Sequence, residues 1–181
     1  VQTCALPILG RVPFFSQENM PMVMIEIENI KKFMAGFLGG NLFDDFLMSE
    51  GKLSMNISYE FDGKILKEFY DTEEWKEMKQ YPYVTWEEEK EKIFSLVKGK
   101  KTPLSFQFVM MLKPDLSPEF LAKYNLAVRE DEIAGLFINI LYDRQGLKCT
   151  SGVSRKTFVL DKTLEEAWDQ EVKERFLTKY L

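Results

Sequence analysis

Apolar and polar residues alternate between positions 52 and 61, which is the pattern of a β-strand with one buried and one solvent-facing side. Asp62-Gly63 then favours a tight type I′ turn, so residues 64–70 are predicted to return as the partner strand of a hairpin. Further strands are predicted at 104–112, 136–142, 147–151 and 156–160. The first of these has apolar residues on both sides, which indicates a central strand covered on both faces.

Apolar residues spaced three or four positions apart predict helices that begin near residues 30, 72, 85, 117 and 163. Two of these helices are predicted to begin with a capping box, in which a threonine and a glutamate three residues later satisfy each other's backbone N–H groups. The pairs are Thr85 with Glu88 and Thr163 with Glu166. The predicted fold class is α+β, with an antiparallel or mixed sheet of five to six strands and helices mostly on one face.

The first residues differ in character from the rest of the chain. Residues 2–8, Gln-Thr-Cys-Ala-Leu-Pro-Ile, back-translate to CAG ACG TGT GCT CTT CCG ATC, a string that resembles a common sequencing adapter. Residues 1–23 are therefore interpreted as a non-native N-terminal extension, and residues 24–181 as a single α+β domain. A genuine apolar N-terminal segment is the alternative interpretation.

Composition excludes several kinds of site. The chain has no histidine, which removes the commonest general base and the commonest metal ligand. Its two cysteines, Cys4 and Cys149, are too few for a cysteine zinc site. The formal net charge of −5 disfavours a general affinity for nucleic acid, and no apolar run has the length of a membrane span. We therefore predict no catalytic residue, no metal site and no cofactor.

Two basic loops are the candidate ligand-binding site. Lys100 and Lys101 follow a predicted helix, and Ser154, Arg155 and Lys156 lie in a stretch rich in serine, threonine and glycine. If the two loops meet, their cations, hydroxyls and backbone N–H groups would bind a phosphate or a carboxylate. The alternative is that the lysines complement a helix C-terminus and that the second group lines a solvated sheet edge.

Other polar and reactive residues have ordinary structural interpretations. Acidic residues cluster at Asp44-Asp45, Glu87-Glu88-Glu89 and Glu165-Glu166-Asp169. They lack the spacing of a calcium loop and are predicted to be solvated faces or helix caps. Cys149 is predicted to fill a strand, since a catalytic thiol would lack its usual histidine base. The tryptophans are predicted to anchor the core, with Trp168 in the apolar stripe of the last helix (Leu164, Trp168, Val172 and Phe176).

Several stretches together carry a family resemblance. They are residues 99–106, 135–140, 150–152, 156–162 and 166–169. They resemble a bacterial family catalogued only as a domain of unknown function (number 5721), known mainly from anaerobic Gram-positive bacteria. The resemblance extends over nearly everything from Ile25 onward. It implies a shared fold and a bacterial, cytoplasmic setting, and it supplies no catalytic residue.

The predicted function is a non-catalytic, cytoplasmic module that binds a small anionic ligand or a protein partner. The alternative is an enzyme that acts on a phosphorylated or carboxylated substrate through lysines and carboxylates. Nucleic-acid contact through the basic loops is a third hypothesis, which the overall acidity disfavours. A membrane is not among the predicted partners.

Overall fold

The structure, a computed structural model, describes residues 23–78 and 81–181, and in these residues the chain forms five α-helices and seven β-strands. The helices are α1 (Ile30–Gly39), α2 (Thr72–Glu77), α3 (Trp86–Val97), α4 (Ser117–Lys123) and α5 (Thr163–Glu171). The strands are β1 (Met24–Ile27), β2 (Phe46–Ser54), β3 (Ser58–Asp62), β4 (Val84–Thr85), β5 (Ser105–Leu112), β6 (Ile133–Asp143) and β7 (Gly146–Arg155). The predicted α+β class is confirmed.

All strand pairs are antiparallel, in the order β1-β7-β6-β5-β2-β3, and β4 also pairs with β2. The sheet has seven strands where five to six were predicted. The sequence pattern missed the short strands β1 and β4 and merged β2 with β3, whereas two predicted strands, 64–70 and 156–160, do not form. β3 and β4 share one edge of β2. The register of β2 against β5 shifts between Met48 and Glu50, which marks a bulge beside this shared edge.

The predicted hairpin around Asp62-Gly63 is wrong. β2 ends at Ser54 and β3 begins at Ser58, so the turn lies between them, and the alternation of apolar residues simply continues through it. A Cβ at Gly63 would lie 1.8 Å from the carbonyl oxygen of Met48, so glycine is required there by a close crossing of β2. Residues 64–70 form no strand, apart from one isolated bridge between Lys64 and Tyr83.

The strand predicted at 156–160 is also wrong. β7 runs on to Arg155, four residues beyond its predicted end at residue 151, and the chain then leaves the sheet. β1 occupies the outer edge of β7 along residues 147–150. The backbone N–H of Lys156 donates to the carbonyl oxygen of Glu132 (2.9 Å), the residue just before β6. Beyond this hydrogen bond the described part of the chain no longer pairs with the β6 side of the sheet.

The hydrophobic core lies between the sheet and the helices. It contains residues of α1, α3, α4 and α5 together with the inward side chains of the sheet, in agreement with helices mostly on one face. Phe37 of α1 stacks on Trp86 of α3 at 4.3 Å, and the Trp86 indole N–H donates to the Phe37 carbonyl oxygen (2.9 Å). β5 lies centrally, and Val109 and Met111 on its opposite face are buried as well, as predicted.

Neither predicted capping box forms as a reciprocal pair: among the described residues the Glu88 carboxylate accepts the Thr85 hydroxyl rather than its backbone N–H, and Thr163 caps no helix. Thr85 accepts the Glu88 backbone N–H, and its hydroxyl donates to the Glu88 carboxylate (2.7 Å), so α3 begins as expected. Thr163 does not cap α5. The carboxylate of Asp161 accepts both the backbone N–H and the hydroxyl of Thr163, because an aspartate two residues earlier competes for the same groups.

The last helix changes geometry and closes the fold. α5 continues as a π-helical segment, Val172–Leu177, and then as a 3₁₀ turn, Thr178–Tyr180. The Tyr180 carbonyl oxygen accepts the backbone N–H of Asn29 (3.3 Å), which docks the C-terminus onto the start of α1. No helix within residues 23–78 and 81–181 is long and apolar enough to cross a bilayer.

Val23 is the last residue of the predicted N-terminal extension, and it packs against the core. Its carbonyl oxygen accepts the Ser151 backbone N–H (3.2 Å), so it continues the pairing of β1 with β7. The interpretation of residues 1–22 as non-native sequence lies outside the described residues. The core cluster contains buried residues of β1, β2, β5, β6 and β7 together with residues of the helices, and the single domain over residues 24–181 stays a prediction.

Candidate functional site

The first basic loop, with Lys100 and Lys101, joins α3 to β5. Both lysines are exposed. The backbone N–H of Leu104 donates to the carbonyl oxygen of Ser54 (2.8 Å), which holds the loop beside the turn between β2 and β3. Both lysines therefore lie at the end of the sheet where β5 begins, as the predicted helix-to-strand position requires.

The two basic loops lie at opposite ends of the sheet. Phe106 at the start of β5 is opposite Tyr142, which is opposite Leu147 at the start of β7. Arg155 is at the far end of β7, and residues 147 to 155 span about 26 Å in an extended strand. The hypothesis that the two loops converge on one anion is therefore wrong. Ligand binding by either loop alone stays a prediction.

The predicted residues of the second loop are also divided. Ser154 and Arg155 are neighbours in β7, so their side chains point to opposite faces of the sheet. Ser154 lies opposite Gly135 of β6 and is half-buried. Lys156 follows outside the sheet and is exposed. Of the five predicted ligand-binding residues, Lys100 and Lys101 lie together at one end of the sheet, Ser154, Arg155 and Lys156 lie at the other end, and Arg155 contacts α5.

Arg155 is bound to acidic groups of its own chain. Its Nε and Nη2 donate to the two carboxylate oxygens of Glu165 at 3.0 and 2.9 Å, and Nη2 also donates to the Asp161 carbonyl oxygen at 3.1 Å. The Arg155 side chain is only 8% exposed. The hydrogen bond to Glu165 raises the pKa of Arg155. Burial would raise the pKa of Glu165, but the hydrogen bond from Arg155, a backbone hydrogen bond and the charge of Arg155 together outweigh burial and lower the pKa. This guanidinium is engaged by the protein rather than presented to a ligand.

The segment 156–160, here called the apolar segment, is the most exposed hydrophobic part of this region. Phe158 is 85% exposed and Leu160 is 84% exposed, whereas Val159 between them is 39% exposed. Among residues 23–78 and 81–181, no partner hydrogen-bonds to the backbone N–H or C=O groups of residues 157–160. The sequence pattern predicted a strand at residues 156–160 and gave no indication that Phe158 and Leu160 are exposed.

Both ends of the apolar segment are fixed. At its start, Lys156 donates its backbone N–H to Glu132, and the preceding Arg155 is held by α5. Just after its end, Asp161 accepts from the Arg155 guanidinium through its carbonyl oxygen and from Thr163 through its carboxylate. The segment is therefore a short bridge between two anchored points of the fold.

A second polar cluster surrounds Glu171, at the end of α5. This carboxylate is 2% exposed and accepts hydrogen bonds from Lys123, from the Tyr124 hydroxyl (3.0 Å) and from Arg175 (3.3 Å). Arg175 also donates to Asp45 (2.8 Å). The cluster joins α4, α5 and the chain before β2, so its first role is to hold these elements together.

The electrostatics of the cluster keep Glu171 ionised. Burial would raise the pKa of Glu171, but hydrogen bonds from Lys123 and Tyr124 outweigh burial and lower the pKa. Burial, followed by the hydrogen bond to Glu171, raises the pKa of Tyr124 to about 12. At neutral pH the cluster therefore has a carboxylate that accepts and a phenol that donates, and neither is set to transfer a proton.

A cavity of about 30 Å³ lies beside this cluster. It is lined by Leu112, Phe120, Lys123, Trp168, Glu171 and Arg175 among others. A space of this size holds about one water molecule, whereas ligand pockets measure about 300–1,000 Å³. The cavity therefore does not hold a phosphorylated or carboxylated substrate in this conformation.

The sequence contained one signal for this cluster. Glu171 follows Trp168 by three residues, so it lies on the buried side of α5 in an otherwise apolar stripe. The predicted stripe of the last helix is confirmed, since Leu164, Trp168, Val172 and Phe176 are all at most 1% exposed. A charged residue in such a stripe is informative because it is buried only with partners. Nothing in the sequence indicated that Lys123 and Arg175 are the partners of Glu171.

The remaining candidates behave as structural residues. Cys149 is 0% exposed, and burial raises the pKa of its thiol, so it is a poor nucleophile. Asp44 pairs with Lys90 at 2.5 Å, and Asp169 accepts a hydrogen bond from Ser151. Within the described parts of the chain, no three His, Cys, Asp or Glu side chains are arranged to hold a metal ion.

Comparison with known proteins gives one match. No curated protein and no solved structure matches the chain. A family model described as a family of unknown function matches residues 36–181, which includes both basic loops, the apolar segment and the Glu171 cluster. The chain therefore belongs to the DUF5721 family, a family of unknown function.

Proposed function

We propose that this protein is a non-catalytic protein-binding module and that the apolar segment is the centre of its contact surface. The observation that carries the proposal is the exposure of Phe158 and Leu160, at 85% and 84%. Burying one such side chain stabilises a complex by about 1.5–3 kcal/mol. Contiguous exposed apolar side chains on a folded protein are typical of interaction sites.

The anchoring of the segment supports the same proposal. Binding costs less conformational entropy when a loop is held near its bound form beforehand. Arg155 and Asp161 fix the two flanks of the segment, and the Arg155–Glu165 ion pair ties it to α5. Aromatic residues presented in this way often dominate the free energy of an interface.

Enzyme activity is less well supported. The cluster around Glu171 has its lysine, arginine and carboxylate paired with one another, beside a cavity of about 30 Å³. An anion site at Arg155 would compete with the bidentate bond to Glu165. Lys156 supplies a positive charge at the rim of the proposed contact surface. A bacterial, cytoplasmic setting is part of the proposal as well.

The test compares two matched pairs of exposed apolar residues. Full-length protein is immobilised as wild type, as Phe158→Ser/Leu160→Ser, and as Leu66→Ser/Phe69→Ser, whose residues are 68% and 83% exposed elsewhere. Each is incubated with an extract of the source organism. We expect wild type and the Leu66/Phe69 variant to retain the same protein and the Phe158/Leu160 variant to lose it. Equal retention by all three, or retention of nothing by wild type, would overturn the proposal.

A further inference from the structure

We infer that the apolar segment binds by β-strand addition, becoming an extra strand on the open sheet edge of its partner. This inference rests on the proposed function and specifies how the contact is made. In this mode, main-chain hydrogen bonds supply affinity and pockets for alternate side chains supply specificity. The segment has the features that each part of this mode requires.

The backbone of the segment is available. Within residues 23–78 and 81–181, the N–H and C=O groups of residues 157–160 make no hydrogen bond. β1 already pairs with β7 along 147–150, and the chain has left the sheet after Arg155. The unpaired groups therefore form a short row that another strand can satisfy.

The side chains follow the period of a strand. Exposure is high at Phe158, lower at Val159 and high again at Leu160, at 85%, 39% and 84%. Residues two apart lie on the same side of an extended chain. Thr157, Phe158 and Val159 are also strong strand formers. Residues 157–160 thus form no strand in the isolated chain and become a strand when they pair with the partner's sheet edge.

Charge and area define the partner. Lys156 and Lys162 flank the segment, are exposed, and make no ion pair within the described residues. The exposed carboxylate of Asp161 offsets one of these charges, so the flanks keep one net positive charge, which is complementary to an acidic rim around two apolar pockets. Two segments pairing with each other would bury on the order of 400 Å² per copy, judged from about 150–250 Å² per large side chain. A stable interface buries about 800 Å² per partner, so further contacts are required with either kind of partner. Antiparallel pairing of two copies about Val159 would set Lys156 of each copy against Lys162 of the other, and like charges placed opposite each other are destabilising, so a different protein with a grooved sheet edge fits better than a second copy.

The experiment uses a photo-crosslinking residue. Full-length protein carrying Phe158→p-benzoylphenylalanine is irradiated in an extract of the source organism, and the crosslinked protein is identified and purified. This purified protein is the probe. It is added to isotope-labelled wild type, and hydrogen exchange of the amides of residues 157–160 is measured by NMR. The Phe158→Ser/Leu160→Ser variant is the control for binding through the segment.

Strand addition has a specific signature. Only alternate N–H groups of a strand face a given neighbour, so we expect either residues 157 and 159 or residues 158 and 160 to exchange at least about tenfold more slowly in the complex. Affinity lost in the serine variant without alternate protection would overturn strand addition and leave the proposed function standing. A crosslink to a second copy of this chain would overturn the inferred partner. Absence of any crosslink would overturn both proposals.

Discussion

Gly36, in the interior of α1, lies directly against the hydroxyl of Tyr180 near the C-terminus. A Cβ at position 36 would lie 2.1 Å from that oxygen and 3.1 Å from the ring carbon that bears it. The Tyr180 hydroxyl is buried and has no hydrogen-bond partner among the described groups. The only residue type without a Cβ thus allows the last turn of the chain to pack against the first helix.

We expect Gly36→Ala to destabilise the protein by about 1–3 kcal/mol, because the added methyl overpacks a filled site. The control is Gly39→Ala in the same helix, where a Cβ would meet nothing within 4 Å. That change is expected to be neutral or to stabilise by up to about 1 kcal/mol. Urea denaturation measures both. A stable Gly36→Ala variant would show that the C-terminal turn moves aside without cost.

Tyr180→Phe tests the same contact from the other side. It removes a buried hydroxyl that lacks a partner, so stability is expected to stay equal or to rise slightly. In the double variant with Gly36→Ala, part of the Gly36→Ala cost is expected to be recovered, since the closest atom is gone. Additive costs in the two variants would contradict a direct contact between these positions.

Trp168→Ala is expected to cost about 3–5 kcal/mol, since Trp168 is 0% exposed and its indole N–H donates to the Phe137 carbonyl oxygen at 2.9 Å. Thermal and urea denaturation measure the loss. Trp75→Ala is the matched control, because Trp75 is half-buried and lies outside the main core. It is expected to cost much less. Near-wild-type stability of Trp168→Ala would mean that α5 is peripheral to the fold.

Glu171→Gln is expected to cost about 1–3 kcal/mol at neutral pH, because Lys123, Tyr124 and Arg175 lose the buried carboxylate that accepts their hydrogen bonds. The pKa of Glu171 is lowered in the folded protein, so its stabilisation is complete above about pH 5 and is lost as the pH falls through the folded pKa. The difference between wild type and variant should therefore shrink in acid. Glu174→Gln, an exposed neighbour, is the control. A pH-independent difference would contradict this assignment.

Arg155→Met is expected to lower stability by about 1–3 kcal/mol, because it leaves the half-buried Glu165 without its bidentate partner. Lys156→Met, at the next residue, is exposed and is expected to change stability by no more than about 0.5 kcal/mol. Phosphate titration of both variants separates the two roles of the arginine. Unchanged stability together with lost phosphate binding would restore the original interpretation of Arg155 as a ligand contact.

The central strands were predictable because local pattern and tertiary environment agree there. β5 has apolar residues on both sides and lies between β2 and β6 with both faces buried. The predicted hairpin was wrong because Met55 and Ile57 continue the apolar alternation through the turn between β2 and β3. Asp62-Gly63 has a typical turn composition, yet its glycine serves the crossing over Met48. Such a crossing depends on contacts distant in sequence, which local patterns do not contain.

The candidate surfaces were less predictable. The segment 156–160 has the composition of a strand, but β1 occupies the outer edge of β7 along residues 147–150 and the segment lies outside the sheet. The separation of the basic loops followed from strand order, which the sequence left open. The Glu171 cluster depends on Lys123 and Arg175 reaching one point from two helical segments. Only the charge within the apolar stripe of α5 was visible beforehand.

The bridge between Lys64 and Tyr83 has a consequence for how this family can diversify. The chain leaves the shared edge of β2 at Lys64 and returns to it at Tyr83, so the two ends of the intervening stretch are about 5 Å apart. Doubling the length of a flexible connection costs only about 0.6 kcal/mol. This stretch can therefore be lengthened, exchanged or replaced by a grafted domain without separating β3 from β4. A reporter domain inserted in this stretch is therefore expected to leave the sheet intact.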